Sequence, residues 1–172
     1  THRRLGLTFS HSPKLNLTVF VDEALASELS LNARGTALSR IGGAIMLNGT
    51  CINTTSQRAA STCHSTAECS IHALAHTLRK HLQLTTNHDI PRTSMFSDNQ
   101  TALKMLKGRS LTSLLRHLRI ATNALLSAAD SEDVIIKYVS SVDNHANILT
   151  SNESAASFWN HTRFLLNQRD ST

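Results

Sequence analysis

Residues 15–24 read Leu-Asn-Leu-Thr-Val-Phe-Val-Asp-Glu-Ala. Apolar side chains alternate and β-branched or aromatic residues dominate, so the stretch predicts a strand that stops near Asp22. Two more carboxylates stand in comparable places. Glu68 lies in His64-Ser65-Thr66-Ala67-Glu68-Cys69, and Asp98 in Met95-Phe96-Ser97-Asp98-Asn99-Gln100. Each falls where an apolar strand stops or a helix gets under way, the places at which a sheet gathers acidic residues around divalent ions. The chain has 12 acidic residues in 172, so carboxylates placed this way organise the rest of the reading.

Working outward, the polar residues 27–40 predict a long loop or a ragged edge of a second strand. Residues 42–47 and 50–56 form two short β runs around Asn48-Gly49, a strong hairpin signal. The period then changes. Ile71, Leu74, Ala75, Leu78 and Leu82 recur at helical spacing, predicting an amphipathic helix over 64–84 with Glu68 in its first turns. A connector with Pro91 leads to a short strand at 93–97. Asp98 is suited to cap a helix over 100–106, which Gly108 closes. Leu111, Leu114, Leu115, Leu118, Leu125 and Leu126 mark another amphipathic helix, and residues 134–139 a fifth strand. After polar residues 140–144, a last helical region is expected over 146–167, anchored by Phe158, Trp159, Phe164 and Leu165.

The order β-β-β-α-β-α-α-β-α implies an α/β fold. Its five-stranded mixed sheet would have three antiparallel strands, then two parallel ones, flanked by helices. At 18.8 kDa the chain suits one domain over 1–172, with an ordered core from about 4 to 167.

The formal net charge is +5 and the pI near 9.6. That surplus favours polyanionic partners such as nucleic acid. Cys51, Cys63 and Cys69 are odd in number and contain no Cys-x-x-Cys. They define neither a disulfide framework nor a zinc site, and an intracellular, reducing compartment is expected. No apolar run is long enough to span a membrane, and the first residues have no signal-peptide core, so no membrane partner is expected.

If the strand at 93–97 pairs beside the first, Asp22, Glu68 and Asp98 converge at one end of the sheet. Clustered carboxylates repel one another unless cations neutralise them, and all-oxygen sites suit Mg²⁺ or Mn²⁺. Two such ions support phosphodiester cleavage. The competing roles are plain ones: a helix cap for Asp98, a solvated face for Glu68, an edge charge for Asp22. The order of the elements favours the metal site. His72, His76 and His81 offer a different metal set, but they flank the apolar stripe beside Arg79 and Gln83, which favours a solvated face. Arg58, Lys104, Lys107, Arg109, Arg116 and Arg119 suit either a phosphate backbone or a solvated face.

Several short stretches, in order and at matching spacing, resemble the ribonuclease H domain of copia-type long-terminal-repeat retrotransposons over nearly the whole chain. Val21-Asp22-Glu23-Ala24-Leu25-Ala26 is similar to the family's Ser-Asp-Ala-Asp-Trp-Ala. Residues 43–57 resemble its hairpin ending in Lys-Gln, and Glu68 falls eleven residues after Gln57, as the family's catalytic Glu follows its own Gln. Asp98-Asn99-Gln100-Thr101-Ala102 is close to Asp-Asn-Gln-Ser-Ala, and Ala146-Asn147-Ile148-Leu149-Thr150 to Ala-Asp-Ile-Leu-Thr.

The resemblance implies a ribonuclease H-like fold that cuts the RNA strand of an RNA–DNA hybrid with two metal ions, Mg²⁺ or Mn²⁺. Asp22, Glu68 and Asp98 would be catalytic ligands, with Asn147 at the fourth carboxylate position. Gln57, Arg58, Asn99, Gln100, Arg116 and His117 would contact nucleic acid, and a reverse transcriptase domain of the same polyprotein is an implied partner. Glu68 would also be placed to contact the 2′-hydroxyl that separates RNA from DNA.

Departures matter as well. Asn147 is neutral where the family is anionic, which weakens the second ion; Asp143 is the alternative fourth carboxylate. The family's His-x-Arg-x-Lys-His reads Thr112-Ser113-Leu114-Leu115-Arg116-His117, without its first His and its Arg. Two functions follow: a retroelement-derived ribonuclease H, weakened at the fourth position, or a catalytically inactive, domesticated module that binds nucleic acid or protein.

Overall fold

The computed structural model describes residues 6–9, 12, 14–31, 37–59, 63–85, 92–109 and 118–168. Five strands form one mixed sheet: β1 (Leu17–Leu31), β2 (Ala37–Leu47), β3 (Thr50–Arg58), β4 (Thr93–Ser97) and β5 (Val134–Tyr138). Their spatial order is β3-β2-β1-β4-β5. The first three are antiparallel, while β4 runs parallel to β1 and β5 parallel to β4. The helices are α1 (Thr66–Thr85), α2 (Gln100–Lys107), α3 (Arg119–Asp130) and α4 (Ala155–Leu165). Among the described residues, no helix is long and apolar enough to cross a membrane.

Strand alternation divides the core in two. Leu17, Val19 and Val21 of β1 pack with Ile41 and Ile45 of β2 against Ile71, Leu74 and Leu78 of α1 and Leu125 of α3. Phe20 points the other way, joining Ala44, Met46, Cys51, Ala146 and Leu165 beneath α4. The β2–β3 turn has the expected Asn48-Gly49, with φ of 48° and 83°. Two positive φ values in a two-residue loop match the twist of the strands it joins, and Asn and Gly tolerate them best.

Four expectations need correction. The first strand does not stop near Asp22, and residues 27–31 are not loop: β1 continues to Leu31, and Glu28 and Leu31 pair with Leu38 and Ala37 across two register shifts. Backbone pairing sustains this arm, so apolar alternation gives no sign of it. Asp98 does not cap α2; Asn99 does, its Oδ1 accepting from Ala102 N at 3.0 Å. The helical region over 146–167 breaks up. A 3₁₀ turn at Ser141–Asp143 and another at Asn147–Leu149 precede α4, which Ser154 caps. The Ser151 hydroxyl donates to the Asn147 carbonyl at 3.1 Å, a local bond that competes with helix propagation. Of the four anchors named for the last helix, Leu165 is buried while Phe158, Trp159 and Phe164 stay partly exposed. Leu111, Leu114 and Leu115 lie outside the described residues.

Candidate functional site

Parallel pairing of β1 with β4 matches Phe20 to Phe96. Asp22 and Asp98 each follow that pair by two residues, which brings them together where β4 ends beside β1. Glu23 joins them. Carboxylate oxygens of Asp22, Glu23 and Asp98 all lie within 4.8 Å of one another, and this is the one metal-competent group of three among the described residues.

Successive strand residues face opposite sides, and the two acids of β1 are held accordingly. On the α4 side, Asp22 is 8% exposed. The Thr150 hydroxyl donates to its Oδ2, and Asn144 Nδ2 approaches its Oδ1 at 3.4 Å. On the α1 side, Glu23 Oε1 accepts from Asn99 Nδ2 at 2.9 Å, with Ser70 also in hydrogen-bonding contact. Ser70 in turn meets Ser97 at 3.2 Å. Asp98 is half-buried, and its Oδ2 accepts from Ser141 Oγ at 2.6 Å.

Burial dominates the electrostatics. It pushes Glu23 up to about 8, and the charges of Asp22 and Asp98 push the same way against the Asn99 and Ser70 hydrogen bonds. Asp22 is raised to about 6, again chiefly by burial and then by Asp98, with the Thr150 hydrogen bond opposing. Two carboxyls that resist ionisation beside a third is the state a divalent cation relieves. Glu23 Oε2 is buried with no hydrogen-bond partner, so a hard cation is the ligand this donor set fits.

The remaining sequence-derived candidates divide. Glu68 is 1% exposed in the first turn of α1, and its Oε2 accepts from His64 N at 2.8 Å. Ser65 Oγ accepts from Glu68 N at 3.2 Å, as in a reciprocal helix cap. The group of three carboxylates within 4.8 Å does not include Glu68. Asn147 is half-buried and donates through Nδ2 to Ser141 O at 2.7 Å. Asp143 is exposed and closes its own turn, accepting from Ser140 Oγ at 2.6 Å. Gln57 and Arg58 end β3 on the surface, with Gln57 Nε2 3.4 Å from His76 Nδ1. Gln100 is exposed at the start of α2, beside the capping Asn99. Arg116 and His117 lie outside the described residues. His81, expected on a solvated face, is 3% exposed instead.

Glu23, Asn144 and Thr150 carry no signal of a site role in the sequence. Glu23 directly follows Asp22, and strict alternation assigns it to the opposite face. The two carboxyls nonetheless meet past the last β1–β4 pair, where no neighbouring strand on that side separates the faces.

No family model matches the chain, and no curated protein sequence matches it. Solved structures do. The N-terminal ribonuclease H domain of rv2228c from Mycobacterium tuberculosis is similar at 12% identity and a TM-score of 0.59, covering 86% of this chain and 99% of that one. LC11-RNase H1, isolated from compost and solved in complex with an RNA/DNA hybrid, is 12% identical with a TM-score of 0.61, covering 78% and 94%. The prototype foamy virus protease-reverse transcriptase is 13% identical with a TM-score of 0.51, covering 92% of this chain and 21% of that one. The chain has the ribonuclease H fold.

Proposed function

We propose that this chain is a retroelement-derived, copia-like ribonuclease H that hydrolyses the RNA strand of RNA–DNA hybrids. The observation that carries the reading is the convergence of Asp22, Glu23 and Asp98 within 4.8 Å where β4 ends beside β1. The ribonuclease H fold of the chain supports it, as does the hybrid bound by the similar LC11-RNase H1. The fold's presence within the foamy virus protease-reverse transcriptase supports a reverse transcriptase domain as partner.

Asp22, Glu23 and Asp98 would hold Mg²⁺ or Mn²⁺, with Glu68 and Asn147 flanking them. The bound ions would supply an activated water and stabilise the leaving oxygen of a phosphodiester. Asp22 on β1 and Asp98 directly after the parallel strand β4 fix the spacing between ligands. Asn99 orients Glu23 by holding Oε1 and leaving Oε2 to the site. Glu23 supplies negative charge that the amide at 147 does not. Gln57, Arg58 and Gln100 are surface contacts for the hybrid, which Arg116 and His117 would extend.

A second reading, a binding module without catalysis, draws on Asn147 and on Glu68 facing its own helix cap. A labelled RNA–DNA hybrid with Mg²⁺ or Mn²⁺ separates the two. Cleavage by the unaltered chain, lost by at least about a hundredfold in Asp98→Asn, supports the enzyme. Strong cleavage only after Asn147→Asp identifies a weakened one. No cleavage by either form, with retained affinity for the hybrid, establishes the binding module.

A further inference from the structure

The segment between β5 and α4 does more than connect them. Asn144 is fully buried, yet its amide is used on every side. Nδ2 donates to the Val21 carbonyl at 3.0 Å and approaches Asp22 Oδ1 at 3.4 Å, while Oδ1 accepts from Ala146 N at 3.3 Å. Six residues later the Thr150 hydroxyl donates to Asp22 Oδ2. Both oxygens of one carboxylate are thus approached by neutral donors of a single short segment. That segment reaches the sheet only because of what β2 lacks. Gly42 stands directly opposite Asp22 in the β1–β2 register. A Cβ at Gly42 would lie 2.7 Å from Thr150 Cγ2 and 2.9 Å from Leu149 Cβ, closer than packed carbon atoms tolerate. A side chain there would lift the turn and its hydroxyl away from Asp22.

We propose that Thr150 and Asn144, seated over Gly42, are positioning residues that fix the orientation of the Asp22 carboxylate for a divalent cation. The inference rests on the reading that Asp22 is a metal ligand. An ionised carboxylate offers about four lone-pair sites. Donors to each oxygen leave the remaining ones in set directions, so less freedom is lost when a cation binds. Partners behind a ligating carboxylate orient it in the same way in known metal sites, and removing one costs about 10–100-fold in metal affinity.

Thr150→Val keeps the shape and removes the hydroxyl, whereas Thr150→Ser keeps the hydroxyl. Mn²⁺ titration by calorimetry on the full chain should show affinity lowered about tenfold in Thr150→Val and within about threefold of the unaltered chain in Thr150→Ser. Gly42→Ala removes no polar atom but should weaken Mn²⁺ binding as Thr150→Val does. Combining the two should add little, since both act through one contact. Circular dichroism establishes that each variant is folded, and if one is not, the other carries the test. Unchanged affinity in Thr150→Val, or equal losses in Val and Ser, overturns the proposal, because a packing role alone predicts those results. If the unaltered chain binds no Mn²⁺, the metal reading fails and the positioning claim is read separately. The Asp22 ¹³Cγ resonance of the metal-free chain should move in Thr150→Val and not in Thr150→Ser; an unmoved resonance refutes the contact itself.

Discussion

Glu23 differs from Asp22 in how strongly the fold discourages its charge. Its carboxyl is raised from 4.5 to about 8, and that of Asp22 from 3.8 to about 6, in both cases chiefly by burial. At these two carboxyls the folded chain therefore holds more protons than the unfolded one between roughly pH 4 and 8. Without metal, the stabilising protonated forms are fully present at acid pH. They are lost as pH rises through about 6 for Asp22 and about 8 for Glu23. Burial holds His145 down to about 4, which opposes this trend on the acid side, so a variant comparison isolates the carboxyl effect. In chelator, Glu23→Gln should melt about 5 °C above the unaltered chain at pH 8, with a smaller gap at pH 5. Mn²⁺ should stabilise the unaltered chain more than the variant. An equal gap at both pH values would mean that Glu23 is not the group titrating.

At the scale of elements, close packing fixes which parts tolerate change. Gly43 of β2 faces Thr77 of α1, and a Cβ there would meet Thr77 Oγ1 at 2.6 Å and Cγ2 at 2.9 Å. Gly43→Ala should cost about 1–3 kcal/mol in denaturant unfolding, and Thr77→Ala in the same chain should recover most of it. Additive losses would show that the two do not share this contact. Elements governed by local periodicity were legible in the sequence. The α1 stripe, the Asn48-Gly49 hairpin and the strand at 93–97 each carry their own signal. The outer arm of β1 did not, because its partner is β2 backbone. Residues 141–154 did not either, because Asn, Ser and Thr hydroxyls and amides there bond locally and interrupt the helix expected over 146–167. The site divides along the same line. Asp98 is legible from the end of its strand and Asp22 from the end of an apolar run, although β1 continues past it, whereas Glu23 and Thr150 depend on contacts that only the assembled sheet creates.

At the scale of the whole molecule, the strand order carries acid and base to one end. Asp22 is level with Gly42 on β2, and Arg40, two residues along, pairs across the next strand with Arg58. Carboxylates for a cation thus lie beside arginines suited to a polyanion, within a chain of net charge +5. If the partner is a hybrid duplex, binding releases counterions, and the logarithm of affinity should fall linearly with the logarithm of salt concentration. Each lost phosphate contact flattens that line by about 0.9 on duplex DNA. With the exposed Arg58 replaced by Gln, the slope should decrease by about one and affinity should weaken by a similar factor for unrelated hybrid sequences. Fluorescence anisotropy across a salt series measures both quantities, in chelator so that cleavage does not intervene. A slope unchanged by the substitution removes Arg58 from the phosphate track. An affinity independent of salt would argue against a nucleic-acid partner at this end of the sheet, whatever its carboxylates hold.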